Sequence, residues 1–244
     1  MSRSKKLQPI RDWQKEQEQA VLKRVEENEL RDIEALVNKC KIKPKTANQD
    51  KYLKYIDKYI ITLCAGPAGT GKTFLAMAKA LEHLLSGKVK TIILTRPLLE
   101  CDEELGFLPG GLDEKTLPYM LPLFDSVEKL VGKKVLEKLI VKEQIVVSPL
   151  AYMRGRSFDE SFIILDEAQN ATYKQLKMFL TRFGEHSKIV VCGDVSQSDV
   201  NVKINPFAEV SNRLKGNEFI SRVLFKREDI VRHPLIQWID EKLS

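Results

Sequence analysis

YIITLCAGPAGTGKTFLAMAKALEHLL, residues 59–85, sets an apolar run, a glycine-rich turn and an apolar-periodic stretch end to end. The run from Tyr59 has the length and residue types of a strand. Leu75, Ala78, Leu81 and Leu85 return at helical spacing and predict a helix over 72–86. Between them, Gly66 to Thr73 has the spacing G-x-x-x-x-G-K-T of a loop that cradles phosphate. Glycines at 66, 69 and 71 let the backbone of Gly66, Pro67, Ala68, Gly69, Thr70 and Gly71 curl, so that its N–H groups point inward at phosphate oxygens. The positive end of the following helix adds to that attraction. Lys72 is expected to reach the β and γ phosphates, and Thr73 to offer its hydroxyl to Mg²⁺.

Working outward, strand-length apolar runs recur: VKTIILT from 89, QIVVS from 144, SFIILD from 161, KIVVC from 188 and FISRVLF from 219. Most are apolar throughout, as expected for strands covered by helices on both faces, so the fold class is α/β with a doubly wound, mainly parallel sheet. Further helices are predicted at 173–183, opened by a capping box of Thr172 and Gln175, and from Asn205 with Pro206 in its first turn. Three glycines and three prolines between Gly106 and Pro122 read as a long irregular loop. Residues 1–45 lack glycine, and 11–43 hold eight basic and eight acidic side chains. Leu22, Val25, Ile33, Leu36 and Cys40 form a weak stripe there, so a charged helical N-terminal arm is expected before Pro44. The division is therefore 1–45 arm and 46–244 catalytic domain.

Two further strands carry chemistry. In FIILDEAQ, Phe162 to Gln169, an apolar strand ends in two carboxylates, where ligands of open α/β sheets bind. Asp166 is expected to hold Mg²⁺, and Glu167 to orient or deprotonate the attacking water. KIVVCGDVSQ, from Lys188, brings Asp194 and Gln197 to the same sheet edge, where Gln197 can sense the γ phosphate. No Asn-Lys-x-Asp string for guanine occurs, which favours ATP over GTP.

Composition sets limits. The chain has 244 residues, 40 Lys+Arg against 34 Asp+Glu, and 43% hydrophobic content, which excludes disorder of the whole and leaves room for one full α/β core. A net charge of +6 is compatible with a polyanionic partner and equally with an ordinary soluble surface. No apolar window reaches membrane-span length and the polar start lacks a signal core, so no membrane association and a cytoplasmic location are expected. Cys40, Cys64, Cys101 and Cys192 are scattered without zinc spacing, and Cys64 and Cys192 sit in apolar runs as packing residues.

GPAGTGKT together with TRP at 95–97, GFLPG at 106–110, PLAYMRGRSF from 149, FIILDEAQNAT from 162, KMFLTRFG from 177, GDVSQ from 193 and DIVRHP from 229 resembles the PhoH-like ATPase family, in collinear order over roughly residues 45–240. The resemblance implies a RecA-like core related to superfamily-one helicases, ATP and Mg²⁺ as cofactors, ATP hydrolysis and a role in RNA metabolism. It places an adenine-reading glutamine at Gln49, between Thr46 and Tyr52, although Gln49 can also be a polar surface residue. Thr95 and Arg96 match a motif that in helicases approaches nucleic-acid phosphate, or a turn with an exposed arginine. Arg154, Arg156 and Arg232 are candidates for completing the site, touching RNA or forming surface ion pairs.

Helicases grip ATP between two such lobes and this chain has room for one. Self-assembly into a homo-oligomer, with a hexameric ring as one form, would supply the second face. Arg232, far along the chain from the loop, is then expected to act in trans as the cation that neutralises γ-phosphate charge, or else to pair with Asp229. RNA or single-stranded DNA is the expected partner beside ATP. Two other readings remain: a thymidine-type nucleoside kinase, which shares the loop and DEAQ but usually adds a cysteine-rich zinc ribbon absent after Cys192, and an ATP-dependent switch or assembly protein that does not translocate.

Overall fold

A computed structural model describes residues 35–97, 112–194 and 205–233, with 235, 236, 238 and 242 beyond them. The chain divides into two compact units, Met1–Lys39 and Cys40–Ser244. Of the first, residues 35–39 are described and are helical; the rest of the expected stripe, with Leu22, Val25 and Ile33, lies outside the described residues.

The second unit is built on six strands, β1 (Ile61–Ala65), β2 (Thr91–Thr95), β3 (Ile145–Val147), β4 (Ser161–Leu165), β5 (Lys188–Gly193) and β6 (Ile220–Leu224). Each of the six apolar runs contributes one. They lie in the order β3-β2-β4-β5-β1-β6, and every pairing is parallel. β1 and β4 are buried along their whole length, because helices cover both faces.

The helices around this sheet are α1 (Ala47–Lys58), α2 (Lys72–Leu85), α3 (Leu112–Val131), α4 (Lys133–Val141), α5 (Tyr173–Leu180) and α6 (Pro206–Arg213). Leu63, Ile93, Ile163, Leu165, Ile189 and Val191 form one core with Leu176 and Phe179 of α5 and Phe207 and Val210 of α6. α2 packs against β2, β4 and β5, where His83 meets Phe162 edge-on at 5.4 Å. α1 packs against β1, β6 and α2. The expected capping box of α5 is present: Thr172 Oγ1 accepts from Gln175 N at 3.3 Å while Thr172 N donates to Gln175 Oε1 at 2.8 Å. Asn205 caps α6, its Oδ1 accepting from Phe207 N and Ala208 N. Cys64 and Cys192 stand side by side on β1 and β5, buried and unlinked, and burial pushes the Cys192 thiol up to about 12, so both are inert packing residues.

One expectation needs correction. The irregular loop of 106–122 is helical from Leu112, the first turns of α3; residues 106–111 lie outside the described residues. An interior proline costs a helix about 3 kcal/mol, and α3 contains Pro118 and Pro122. Burial of Met120, Leu123, Val127 and Leu130 on one stripe, at about 1.5–3 kcal/mol each, outweighs that loss.

The last turn of α1 is tied to α2 through Asp57. Asp57 Oδ1 meets His83 Nε2 at 3.0 Å, and Asp57 Oδ2 accepts from Lys79 Nζ at 2.7 Å. Burial pushes the Asp57 carboxyl up, but these hydrogen bonds outweigh it and hold it at about 2. Because the folded value lies below the ordinary one of about 4, the stabilisation is present above about pH 4 and is lost as pH falls through about 2. Asp57→Asn is expected to lower the urea midpoint at neutral pH and to match the wild type near pH 2. A gap of equal size at both pH values would assign the effect to packing.

Candidate nucleotide site

The order of the sheet decides where a ligand can sit. The chain leaves β1 through α2 and crosses to β2, beyond β5 and β4, so the loops after β1, β4 and β5 meet at one carboxyl edge. The loop after β1 begins with Gly66 N donating to Gly193 O of β5 at 3.1 Å. Gly66 has φ 151°, and a Cβ there would lie 2.6 Å from Phe225 Cβ, so the residue must be glycine on both counts. Lys72, the first residue of α2, donates from Nζ to the carbonyls of Gly66 at 2.7 Å and Pro67 at 2.9 Å, which sets its ammonium over the curl of the loop.

Thr73 Oγ1 donates to Asp166 Oδ1 at 2.6 Å. Ninety-three positions apart in sequence, the hydroxyl from α2 and the carboxylate after β4 are thus in contact. Burial pushes the Asp166 carboxyl up and the neighbouring Glu167 adds to it, against the Thr73 hydrogen bond, so proton uptake competes with ionisation. A divalent cation would reverse that balance. Hydroxyl and carboxylate oxygens fit Mg²⁺, which takes one or two carboxylates and otherwise uses water and phosphate oxygens. Among the described residues no cluster of three or more His, Cys, Asp or Glu suits a fully protein-bound metal.

Glu167 has φ 51° and ψ 42°, a left-handed conformation that costs a non-glycine residue about 1–3 kcal/mol and recurs at functional sites. Both its oxygens are engaged: Oε1 lies 3.4 Å from Arg96 Nη2, and Oε2 accepts from Gln169 Nε2 at 2.5 Å. Gln169, 3% exposed, in turn accepts from Asp194 N at 2.9 Å through Oε1. Arg96, Glu167, Gln169 and Asp194 therefore link the ends of β2, β4 and β5.

A cavity of about 280 Å³ is lined by Gly69, Lys72, Thr73, Asp166, Glu167, Asp194 and Arg232, with Ser126 of α3. Arg232 is on its own chain's loop: a Cβ on Gly69 (φ 81°) would lie 2.6 Å from Arg232 Cδ, and Val231 N donates to Gly69 O at 3.0 Å. The expectation for Arg232 is supply to a neighbour's site; in this structure the three-residue turn Arg227–Asp229 brings it against its own chain's loop. Gln49 also reaches the loop, but from behind. Its Nε2 donates to Thr70 O at 3.0 Å and its Oε1 accepts from Lys45 N at 2.7 Å, so as placed it braces the backbone, and reading adenine would require those bonds to be given up. Thr95 is fully buried beside Arg96, its Oγ1 without a partner among the described residues. Arg154 and Arg156 are exposed and do not line the cavity; Arg156 stacks over Phe158 at 5.0 Å. Gln197 lies outside the described residues. Sequence reasoning missed Gln169 and Ser126, although Gln169 stands two positions after Glu167 in a string already singled out.

The sequence pattern of the family described as PhoH-like protein matches residues 41–244, which takes in every element of this site. The chain belongs to the PhoH-like protein family. A PhoH-like protein of Bacillus subtilis (strain 168) is 46% identical over 201 residues, 82% of this chain and 63% of that protein. One of Mycobacterium tuberculosis (strain ATCC 25618 / H37Rv) is 54% identical over 159 residues, 65% of this chain and 45% of the relative. Protein PhoH of Escherichia coli (strain K12) is 41% identical over 189 residues, 76% and 53% respectively. This PhoH-like chain thus spans less than two thirds of the length of these relatives. In fold it resembles the large terminase from a thermophilic bacteriophage, with TM-score 0.50 at 9% identity over 83% of this chain and 51% of the terminase. The architecture is that of a phosphate-loop nucleotide-binding protein. No described helix is long and apolar enough to cross a membrane.

Proposed function

We propose that this chain is a Mg²⁺-dependent ATP hydrolase that works on single-stranded nucleic acid, RNA above all, as a homo-oligomer such as a hexameric ring, with residues 46–244 as the catalytic domain and 1–45 as an arm. The observation that carries the hydrolase reading is the 2.6 Å contact of Thr73 with Asp166 beside Lys72 and Glu167. Backbone N–H groups of the loop and the Lys72 ammonium hold the β and γ phosphates. Thr73 and Asp166 would hold Mg²⁺, which when bound neutralises charge on those phosphates. Glu167 takes a proton from the attacking water as its oxygen bonds to the γ phosphorus; the bond to the bridging oxygen breaks and ADP leaves. Arg96 and Gln169 fix the direction of the Glu167 carboxylate.

Arg232 sits where it can meet charge developing on the γ phosphate. Arg232→Ala is expected to retain ATP binding and to slow hydrolysis on the order of 1,000-fold. Mixing Arg232→Ala with Lys72→Ala subunits is expected to restore nothing, since both groups serve the same chain's site; recovery would return the arginine to a neighbour. The nucleic-acid part rests on the net charge of +6 and on Arg96 at the site's edge. ATP turnover with and without single-stranded RNA, alongside light-scattering mass, tests the whole. Stimulation by RNA of a multimeric enzyme is expected. Turnover indifferent to RNA would favour a nucleotide-driven switch, and a fully active monomer would remove the ring.

A further inference from the structure

A second cavity, of about 480 Å³, lies apart from the phosphate site. It runs along β6, the outermost strand of the sheet among the described residues, beside α1. Its lining has Lys51 and Tyr55 on α1, Tyr59 just after it, Lys215 in the turn after α6, and Arg222 on β6. None of its ten lining residues is acidic, and none of the three cations is in an ion pair among the described residues. Tyr55 and Tyr59 meet edge to face at 5.1 Å, and an exposed lysine hovers over each ring, Lys51 at 5.3 Å and Lys58 at 5.2 Å. Arg222 Nη2 donates to Asn212 Oδ1 at 2.9 Å, while its buried Nε has no acceptor among the described residues.

We propose that this groove binds single-stranded nucleic acid, bases against Tyr55 and Tyr59 and phosphates on Lys51, Lys215 and Arg222. Flat rings beside cations without carboxylates are what such a strand needs: every base has a face to stack, and the backbone has one negative charge per nucleotide. A lysine lying over a tyrosine is held weakly and can move to a phosphate as a base takes the ring. Asn48 to Tyr55 span about 10 Å of helix and the lining runs on to Tyr59 beyond its end, longer than one nucleotide needs, which favours a strand over a free nucleotide. An unstacked strand also exposes base faces that a duplex hides.

The groove is tied to the phosphate loop. Asn48 lines it and donates to Asp229 Oδ2 at 2.7 Å, two residues before Val231 fastens to Gly69; the next residue, Gln49, braces Thr70. A strand that shifts the first turn of α1 therefore moves both supports of the loop. The inference rests on the nucleic-acid half of the proposed function and is independent of hydrolysis, because binding is read without nucleotide.

The test is anisotropy of a fluorescein-labelled oligouridine with the full chain at low salt, with ATP turnover of each protein measured separately. Lys51→Glu and Lys215→Glu, both at exposed positions, are expected to weaken binding about tenfold or more and to flatten its salt dependence, with turnover in the absence of RNA unchanged. Tyr55→Ala is expected to lose about tenfold, and ultraviolet cross-links are expected at Tyr55 or Tyr59. Lys177→Glu on α5, outside the groove, is expected to change little. Equal losses at Lys177 and Lys51, or equal displacement by polyglutamate and by unlabelled oligouridine, would overturn the assignment. Wild-type binding untouched by the groove variants would reject the groove and keep the partner. No binding at all would reject both, while the turnover assay judged the hydrolase on its own.

Discussion

Glu167→Gln is expected to bind Mg²⁺-ATP with near-normal affinity and to hydrolyse it about 100- to 10,000-fold more slowly, the usual contribution of a positioned base. The carboxamide keeps the size and leaves Asp166 and Thr73 in place but cannot take a proton from water. A structural consequence accompanies the kinetic one. Glu167 presents two acceptor oxygens, one toward Arg96 and one to Gln169, whereas glutamine has a single oxygen and must turn an NH₂ toward one of these donors. The left-handed backbone at 167 is unchanged, so a small loss of thermal stability is expected with the fold retained. Fluorescent-nucleotide binding and phosphate release separate the outcomes. If the variant loses affinity while its turnover per bound ATP stays normal, Glu167 is a ligand and another group is the base.

Lys72→Ala is expected to act earlier, on affinity as well as rate. Lys72 Nζ is held by the carbonyls of Gly66 and Pro67, an arrangement that aims one fixed positive charge across the loop. Removing a preorganised charge of this kind costs about 100- to 1,000-fold in rate, and the loss of a phosphate contact weakens ATP binding besides. The loop itself should persist, since Gly66–Gly193, Gln49–Thr70 and Val231–Gly69 still tie it down. An unchanged melting temperature without nucleotide, together with a lost shift on adding Mg²⁺-ATP, is the expected pattern.

The parts that could be read from the sequence share a physical cause. Strands such as Phe162–Leu165 are buried on both faces, so their apolar runs are uninterrupted and visible. The phosphate loop needs glycine at 66, where φ is 151° and Phe225 presses on it, and at 69, where φ is 81°, and that need leaves a pattern in the residues. α1 escaped notice because it is polar on most of its surface: it buries Gln49, Tyr52 and Ile56 and depends on Thr46 Oγ1, which accepts from Gln49 N at 3.2 Å. α3 escaped because its prolines weigh heavily in a local reading, while the burial that offsets them depends on packing against α2. For Arg232 the sequence offers distance along the chain, and distance suggested a neighbour. The return of the chain after β6, fixed by Phe225 N to Ala65 O at 2.8 Å and Val231 N to Gly69 O, brings it home. Gln49 shows the converse: its type and position drew attention to the right loop, while its role there depends on which way the carboxamide points.

The central claim is that Lys72, Thr73, Asp166 and Glu167 form one Mg²⁺-dependent site for ATP hydrolysis. Phosphate release from ATP by the full chain, with Mg²⁺ and after chelation, run beside Lys72→Ala, tests it most directly. The expected result is steady turnover with Mg²⁺ that stops on chelation and falls about 100-fold or more in the variant. Turnover that survives chelation, or that persists undiminished in Lys72→Ala, would contradict it.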